Sequence, residues 1–153
     1  MKPDVKEINI RDVKFGKNVT IIKPVNLYEC EIDDNSFIGP FVEIQKNVKI
    51  GKNCRIQSHA FICELVTIGD NCFISHGAKF INDTFSQGKP AMGDKNLWKP
   101  TEIGNNVSIG TNATILPVKI ADNVVIGAGA VVTKNINKPG IYAGNPAKKI
   151  RSL

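Results

Sequence analysis

Ile32-Asp33-Asp34-Asn35-Ser36-Phe37-Ile38-Gly39-Pro40-Phe41-Val42-Glu43-Ile44 opens the run that decides the fold. From Ile32 an apolar residue recurs every six positions: Ile38, Ile44, Ile50, Ile56, Ile62, Ile68, Ile74 and Phe80. Four residues after most of these stands a small or β-branched residue: Ser36, Val42, Val48, Cys54, Ala60, Val66, Cys72 and Ala78. A helix would repeat near 3.6 and a lone strand near 2, so a sustained period of six marks a solenoid. A short strand plus a tight corner uses about six residues, and three of each close a triangular coil of about 18 residues. Successive coils stack at the ordinary strand spacing of about 4.8 Å. The aliphatic residue points inward, and Asn and Gly near the turns suit tight or left-handed backbone.

Outward from this run, the hexads begin at Phe15, Ile21 and Leu27, with a five-residue step from Leu27 to Ile32. They resume at Ile103, Ile109 and Ile115, then at Ile120, Ile126 and Val132, with a second five-residue step at Leu116-Pro117-Val118. The expected architecture is an all-β parallel solenoid of about six triangular coils in one domain, residues 1–153. Residues 1–14 lead into it. Residues 82–100 form one long loop insertion, and residues 139–153 form a tail with a short helix from Pro146. Long loops inside compact domains are commonly functional, so the point where the repeat fails is the first place to seek a site.

Composition narrows the function classes. The 153 residues are 42% hydrophobic, 22% charged and only 7% aromatic, with a net charge of +6. Nucleic-acid binding wants a clustered basic stripe with stacking aromatics, and no such stripe is present. No apolar run reaches the length of a membrane span, and Met1–Glu7 has no signal-peptide core, so a cytoplasmic location is the default expectation. Cys30, Cys54, Cys63 and Cys72 form no CxxC pair, which argues against a zinc site. Cys54 and Cys72 instead fill the small inward position.

The two histidines, His59 and His76, are 17 residues apart. In an 18-residue coil His59 lies beneath Gly77, so His76 is its diagonal neighbour at the same corner. By the same count Glu64 lies one coil below Asn82.

Residues 15–151 resemble the hexapeptide-repeat acyltransferases, which fold as left-handed parallel β-helices. Ile126-Gly127-Ala128-Gly129-Ala130-Val131-Val132-Thr133-Lys134 and Ala143-Gly144-Asn145-Pro146-Ala147 are similar to the end of the acyl-CoA-using members. Phe41–Gln45, Ser58–Glu64 and His76–Asp83 resemble N-acetyltransferases acting on nucleotide-linked amino sugars. Within these, the resemblance is to enzymes that acetylate the 3-amino group of a dTDP-3-amino-3,6-dideoxyhexose for surface polysaccharide or S-layer glycans. The resemblance implies acetyl-CoA as cosubstrate, no metal, and a homotrimer with sites between subunits. It implies backbone contacts to pantetheine from Gly110 and Ala128, bordered by Gly129 and Ala143, with Lys148 and Lys149 toward the phosphates.

A thioester needs no enzyme nucleophile, so the sugar amine attacks it directly. His76 is the candidate base or amine-orienting group, with His59 beside it and Asn82 as a further catalytic candidate. Asp83, Glu64 and Trp98 are candidate sugar or base contacts, although Asn82-Asp83 also reads as a turn and Trp98 also reads as a loop anchor. A sugar O-acetyltransferase, an amino-acid or other acyltransferase of the same hexapeptide fold, and a non-catalytic β-helix scaffold are the competing readings. A carbonic anhydrase would need three zinc histidines, and the chain has two.

Overall fold

The computed structural model describes all 153 residues. Inward positions stack into three parallel sheets that form the faces of a triangular prism. The first face runs through Ile10, Leu27, Ile44, Ile62, Phe80, Ile115 and Val132. The second runs through Phe15, Ile32, Ile50, Ile68, Ile103 and Ile120, and Ile136 extends it by a single parallel bridge. The third runs through Ile21, Ile38, Ile56, Ile74, Ile109, Ile126 and Tyr142.

The prism therefore has seven coils, one more than the hexads predict. Ile10, Ile136 and Tyr142 are the three inward residues that the regular period misses. Residues 1–14 are accordingly not all lead-in, because Ile10–Arg11 and Lys14–Phe15 are strands of the first coil. At the other end the predicted helix is absent. Lys148–Arg151 is instead a strand antiparallel to Gly140–Ala143. The exposed edge of the last coil offers unpaired N–H and C=O groups, and a chain reversed at Gly144 (φ 97°) satisfies them better than a helix would.

The interior explains the hexad. Ile38, Ile44, Ile56, Ile62 and Ile74 are fully buried, and Phe80 is the largest such side chain. Each buried aliphatic contributes roughly 1.5–3 kcal/mol. The corner between the second and third faces is built from positive-φ asparagines: Asn18, Asn35, Asn53, Asn71, Asn106 and Asn123. Asn tolerates this region better than most residues, and neighbouring side-chain amides bond coil to coil, as in Asn53 Nδ2 to Asn71 Oδ1 at 3.2 Å. Asp34, Asp70 and Asp122 reinforce the same edge, each accepting from a backbone N–H one coil away at 2.7–2.8 Å.

The corner between the first and second faces behaves differently. From inward residue to inward residue it takes five positions at Leu27–Ile32, six at Ile62–Ile68 and 23 at Phe80–Ile103. All irregular spacing, including the long loop, falls on this one edge. The five-residue step at Leu116-Pro117-Val118 is one of these compressed corners, and Val118 is buried in it.

All four cysteines are free and buried. Burial pushes the Cys30 thiol up to about 11 and the Cys63 thiol up to about 12. Cys54 and Cys72 stand one coil apart, and their thiols reach the carbonyls of Gly69 and Gly104 at 3.1 Å. The hydrogen bond between the pair and then burial raise Cys72, while the same bond lowers Cys54, so Cys54 ionises first. At pH 8 the native protein is expected to give almost no reaction with an aromatic disulfide reagent, and four thiols after denaturation. Unfolded thiols titrate near pH 8.5. Above that pH the unfolded chain binds fewer protons than the native one, because Cys30 and Cys63 keep theirs. Stability should then fall with rising pH from about 8.5 toward 12, measurable as a declining urea midpoint.

Candidate functional site

The corner joining the third face to the first turns through one positive-φ residue per coil: Phe41 (61°), His59 (64°), Gly77 (69°), Asn112 (57°) and Gly129 (67°). Each N–H donates to the carbonyl of the residue before the corner one coil earlier: His59 to Pro40 (3.2 Å), Gly77 to Ser58 (3.0 Å), Asn112 to His76 (3.0 Å) and Gly129 to Thr111 (2.8 Å). Pro40, Ser58, His76, Thr111 and Ala128 thus form one column, and Phe41, His59, Gly77, Asn112 and Gly129 form the next. His59 lies beside Gly77 and diagonal to His76, as the 18-residue count expects.

Both histidines are exposed, but their surroundings differ. The His59 ring stacks on Phe41, with centroids 4.9 Å apart and planes inclined by 18°. His76 Nδ1 is 3.4 Å from Ser75 Oγ, and the buried Ser75 hydroxyl is 2.9 Å from Thr111 Oγ1. Which atom donates depends on the tautomer. If Nδ1–H donates to Ser75 and Ser75 donates to Thr111, the lone pair lies on Nε2.

The residues assigned to pantetheine share this edge. A Cβ at Gly110 would come 2.5 Å from the Ala128 nitrogen and 2.7 Å from the Gly127 carbonyl carbon, so only glycine lets these coils close. A Cβ at Gly127 would come 2.9 Å from the Cβ of Ala143, which stands in the next coil. Beside Gly129 there is open space. Ala128 lies two coils beyond His76 in the same column, about 10 Å away at ordinary strand spacing.

Lys148 pairs with Ala143, and the Lys149 stem covers Gly140. Lys134, Lys138 and Arg151 add to them, and no acidic residue follows Asp122. Reading Lys148 and Lys149 alone misses this end-wide positive field, although the charge order of the sequence carries it.

Glu64, Asn82, Asp83 and Trp98 gather at the opposite edge of the first face, where the loop leaves and returns. Asn82 Nδ2 donates to the Glu64 carbonyl at 3.2 Å, which agrees with the one-coil offset, and the Lys99 N–H donates to the Asn82 carbonyl at 3.0 Å. The Asp83 carboxylate accepts from the N–H groups of Phe85 (2.9 Å) and Ala91 (2.7 Å), so it acts as a turn former. The Glu64 carboxylate binds Lys95 Nζ at 3.0 and 3.2 Å. Lys95 Nζ also sits 5.5 Å from the Trp98 ring centroid. The sequence did not signal Lys95, because nothing in a loop fixes register.

Between the two edges lie Tyr28, Glu43 and Gln45. Gln45 bridges Glu43 (3.0 Å) to the Glu64 N–H (3.3 Å). Burial first, then the charges of Glu43 and Glu64, raise the Tyr28 hydroxyl above its usual range. Within one chain, then, the structure joins His59 to His76, and Asn82 to Glu64, but it sets the two groups apart across a face.

Two grooves of about 420 and 520 Å³ lie on the second face. They carry the surface ion pairs Lys14–Glu31 (3.3 Å) and Lys119–Glu102 (3.1 Å) and contain neither histidine. No group of three or more His, Cys, Asp or Glu side chains converges as a metal site would require. No helix is long and apolar enough to cross a membrane.

The family described as bacterial transferase hexapeptide (six repeats) matches residues 29–64, and the hexapeptide repeat of succinyl-transferase matches residues 100–134. The chain thus carries the transferase hexapeptide repeat on both sides of its long loop. It is 35% identical over 131 residues to the bifunctional protein GlmU of Clostridium botulinum, covering 80% of this chain and 28% of that protein. The chain spans about three-tenths of the length of the curated relatives it matches. Among solved structures it is similar to AntD, an N-acyltransferase from Bacillus cereus in complex with dTDP and coenzyme A. That likeness has a TM-score of 0.80 and 26% identity over 94% of this chain and 85% of AntD. A galactoside acetyltransferase in complex with coenzyme A is 30% identical, with a TM-score of 0.66 over 93% of this chain and 65% of that one.

Proposed function

We propose that this acyltransferase uses acetyl-CoA to acetylate the 3-amino group of a nucleotide-linked 3-amino-3,6-dideoxyhexose, carried by dTDP, for surface polysaccharide or S-layer glycans. The observation that carries this reading is the near full-length similarity to AntD, whose structure holds both dTDP and coenzyme A. This chain's own edge fits the cosubstrate: tight backbone at Gly110, open space at Gly129, and five cations beyond Asp122 with no acid among them.

The neutral sugar amine attacks the thioester carbonyl. A C–N bond forms, the C–S bond breaks, and coenzyme A leaves as the thiol once the amine proton has been passed on. His76 takes that proton, with Ser75 and Thr111 fixing its ring. His59 flanks it. Asn82 uses its amide oxygen, which no protein group engages, toward the sugar. Glu64 and Asp83 act through the loop they hold, together with Trp98.

Because His76 and Asn82 lie on opposite edges of one face, a site using both takes the histidine edge of one subunit and the loop edge of another. That supports a homotrimer with sites at the subunit clefts. A second reading, transfer to a sugar hydroxyl, draws on the galactoside acetyltransferase likeness.

The test incubates the protein with acetyl-CoA and a panel of dTDP- and UDP-linked 3-amino and 4-amino sugars together with plain galactosides, following free thiol and product mass. A mass gain of one acetyl on a 3-amino sugar is expected. Acetylation of hydroxyls alone selects the second reading, and no acetylation of any amino sugar overturns the first.

A further inference from the structure

We propose that Phe41 and His59 form a stacking platform for the nucleobase of the acceptor, so that the nucleotide lies along the histidine edge toward the N-terminal coils. The inference rests on the nucleotide-sugar reading above and adds to it where the base sits and which residues select it.

Three observations point there. Phe41 adopts a left-handed φ of 61°, a region that bulky side chains avoid, at a corner whose other residues are His, Gly and Asn. Outside the long loop, Leu65 is the other apolar residue with this conformation, and the Leu65 carbonyl has a structural task in accepting from the N–H of Thr101 at the loop's return. The Phe41 backbone has a comparable bond, its N–H donating to the Pro24 carbonyl at 2.6 Å, so it is the choice of side chain that stands out. Its side chain is 56% exposed although apolar. Backbone strain together with an exposed aromatic is the combination that points from structure to function. Second, the Phe41 ring is not free to wander, because it lies on the His59 ring at 4.9 Å and 18°. The pair is a preformed flat surface, which lowers the ordering cost of binding a planar group. Third, Phe41 borders a shallow groove of about 190 Å³ with Pro24, Val25, Asn26 and Glu43. The Asn26 amide and the Glu43 carboxylate offer a donor and acceptors at its wall, as the imide edge of a pyrimidine requires.

Direction along the edge agrees. With the amine at His76, the cosubstrate column runs toward Ala128 and Ala143, which leaves the other direction for the nucleotide. Phe41 lies two coils from Gly77 in its column, about 10 Å, a span that a hexose and diphosphate bridge. At the Gly77 level Lys79 holds its ammonium 3.1 Å from the Gly77 carbonyl, a cation suited to the diphosphate where it leaves the sugar.

The experiment measures dTDP binding by calorimetry, steady-state kinetics against the nucleotide sugar and against acetyl-CoA, and oligomeric state for Phe41→Ala and Phe41→Trp. Base–aromatic stacking lost by alanine substitution corresponds to a roughly 5- to 100-fold loss of affinity. Phe41→Ala should therefore weaken dTDP by about tenfold or more and raise KM for the nucleotide sugar in step, with KM for acetyl-CoA held. Phe41→Trp should keep affinity and show indole quenching as dTDP binds. Unchanged dTDP affinity in Phe41→Ala overturns the inference. So does a change in subunit assembly without any nucleotide effect, which would assign Phe41 to contacts between copies of the chain. Because dTDP binding is read without turnover, the two readings separate. Amino-sugar acetylation with unaltered dTDP binding in the variant sinks the platform alone. Inactivity of the wild type with dTDP binding lost in the variant sinks the acceptor assignment alone.

Discussion

Replacing His76 with alanine is expected to lower kcat for the proposed sugar N-acetylation by about 10²- to 10⁴-fold, the usual worth of a positioned general base, with KM for acetyl-CoA little changed. The two histidines share one edge, but their settings separate their tasks. The His59 ring is engaged face-on by Phe41. His76 instead has one ring nitrogen beside Ser75 and the other without a protein partner. Its column leads through Thr111 to Ala128, where the proposed pantetheine edge begins. The His76 carbonyl is fixed by the Asn112 N–H at 3.0 Å, so alanine should leave the corner itself intact. His76→Asn separates proton transfer from orientation, because an amide can hold an amine in place and cannot take its proton at neutral pH. A general base predicts that His76→Asn is as slow as His76→Ala. Wild-type kcat in His76→Asn would reduce His76 to an orienting group, and wild-type kcat in both would remove it from the site.

The legible and illegible parts of the molecule divide along a physical line. Every inward residue from Ile32 to Phe80 was readable because the interior admits one apolar side chain per face, and the spacing of faces is fixed by strand plus corner. That same regularity carries the placement of His59 beside Gly77 and of Glu64 beneath Asn82. The seventh coil was hidden because its residues fall on the variable corner. Ile136 follows Val132 after four positions, and Ile10 precedes Phe15 by five. The terminal strand was hidden because Pro146 is compatible with a helix start, while the demand for an edge partner is visible only once the last coil exists. The loop was the least readable. Asp83 turning toward Phe85 and Ala91, and Lys95 reaching Glu64, are contacts without period. They also show why carboxylates that look like sugar ligands in the sequence are spent on the loop's own shape.

The largest effect on stability should come from Phe80→Ala. Phe80 is the one fully buried aromatic among inward positions otherwise filled mainly by isoleucine, since Phe15 and Tyr142 stand in the end coils and are partly exposed. Truncation leaves a cavity in the fifth coil that neighbouring ladders cannot collapse into, since each is pinned by hydrogen bonds such as Ile81 N–H to the Ile115 carbonyl at 3.0 Å. Such a change costs about 3–5 kcal/mol. At roughly 2–4 °C per kcal/mol for a chain of this size, Tm should fall by on the order of 10 °C. Ile56→Val, which removes one methylene from an equally buried position away from the loop, should cost only about 1 kcal/mol. The two also differ in function. Phe80 stands two residues before Asn82, at the root of the loop, so its loss should release the loop edge and lower kcat/KM even well below the new Tm. Ile56→Val should leave turnover intact. A Phe80→Ala protein as active at 15 °C as the wild type would show that the loop edge is held by Glu64, Lys95 and Asp83 alone, independently of the core beneath it.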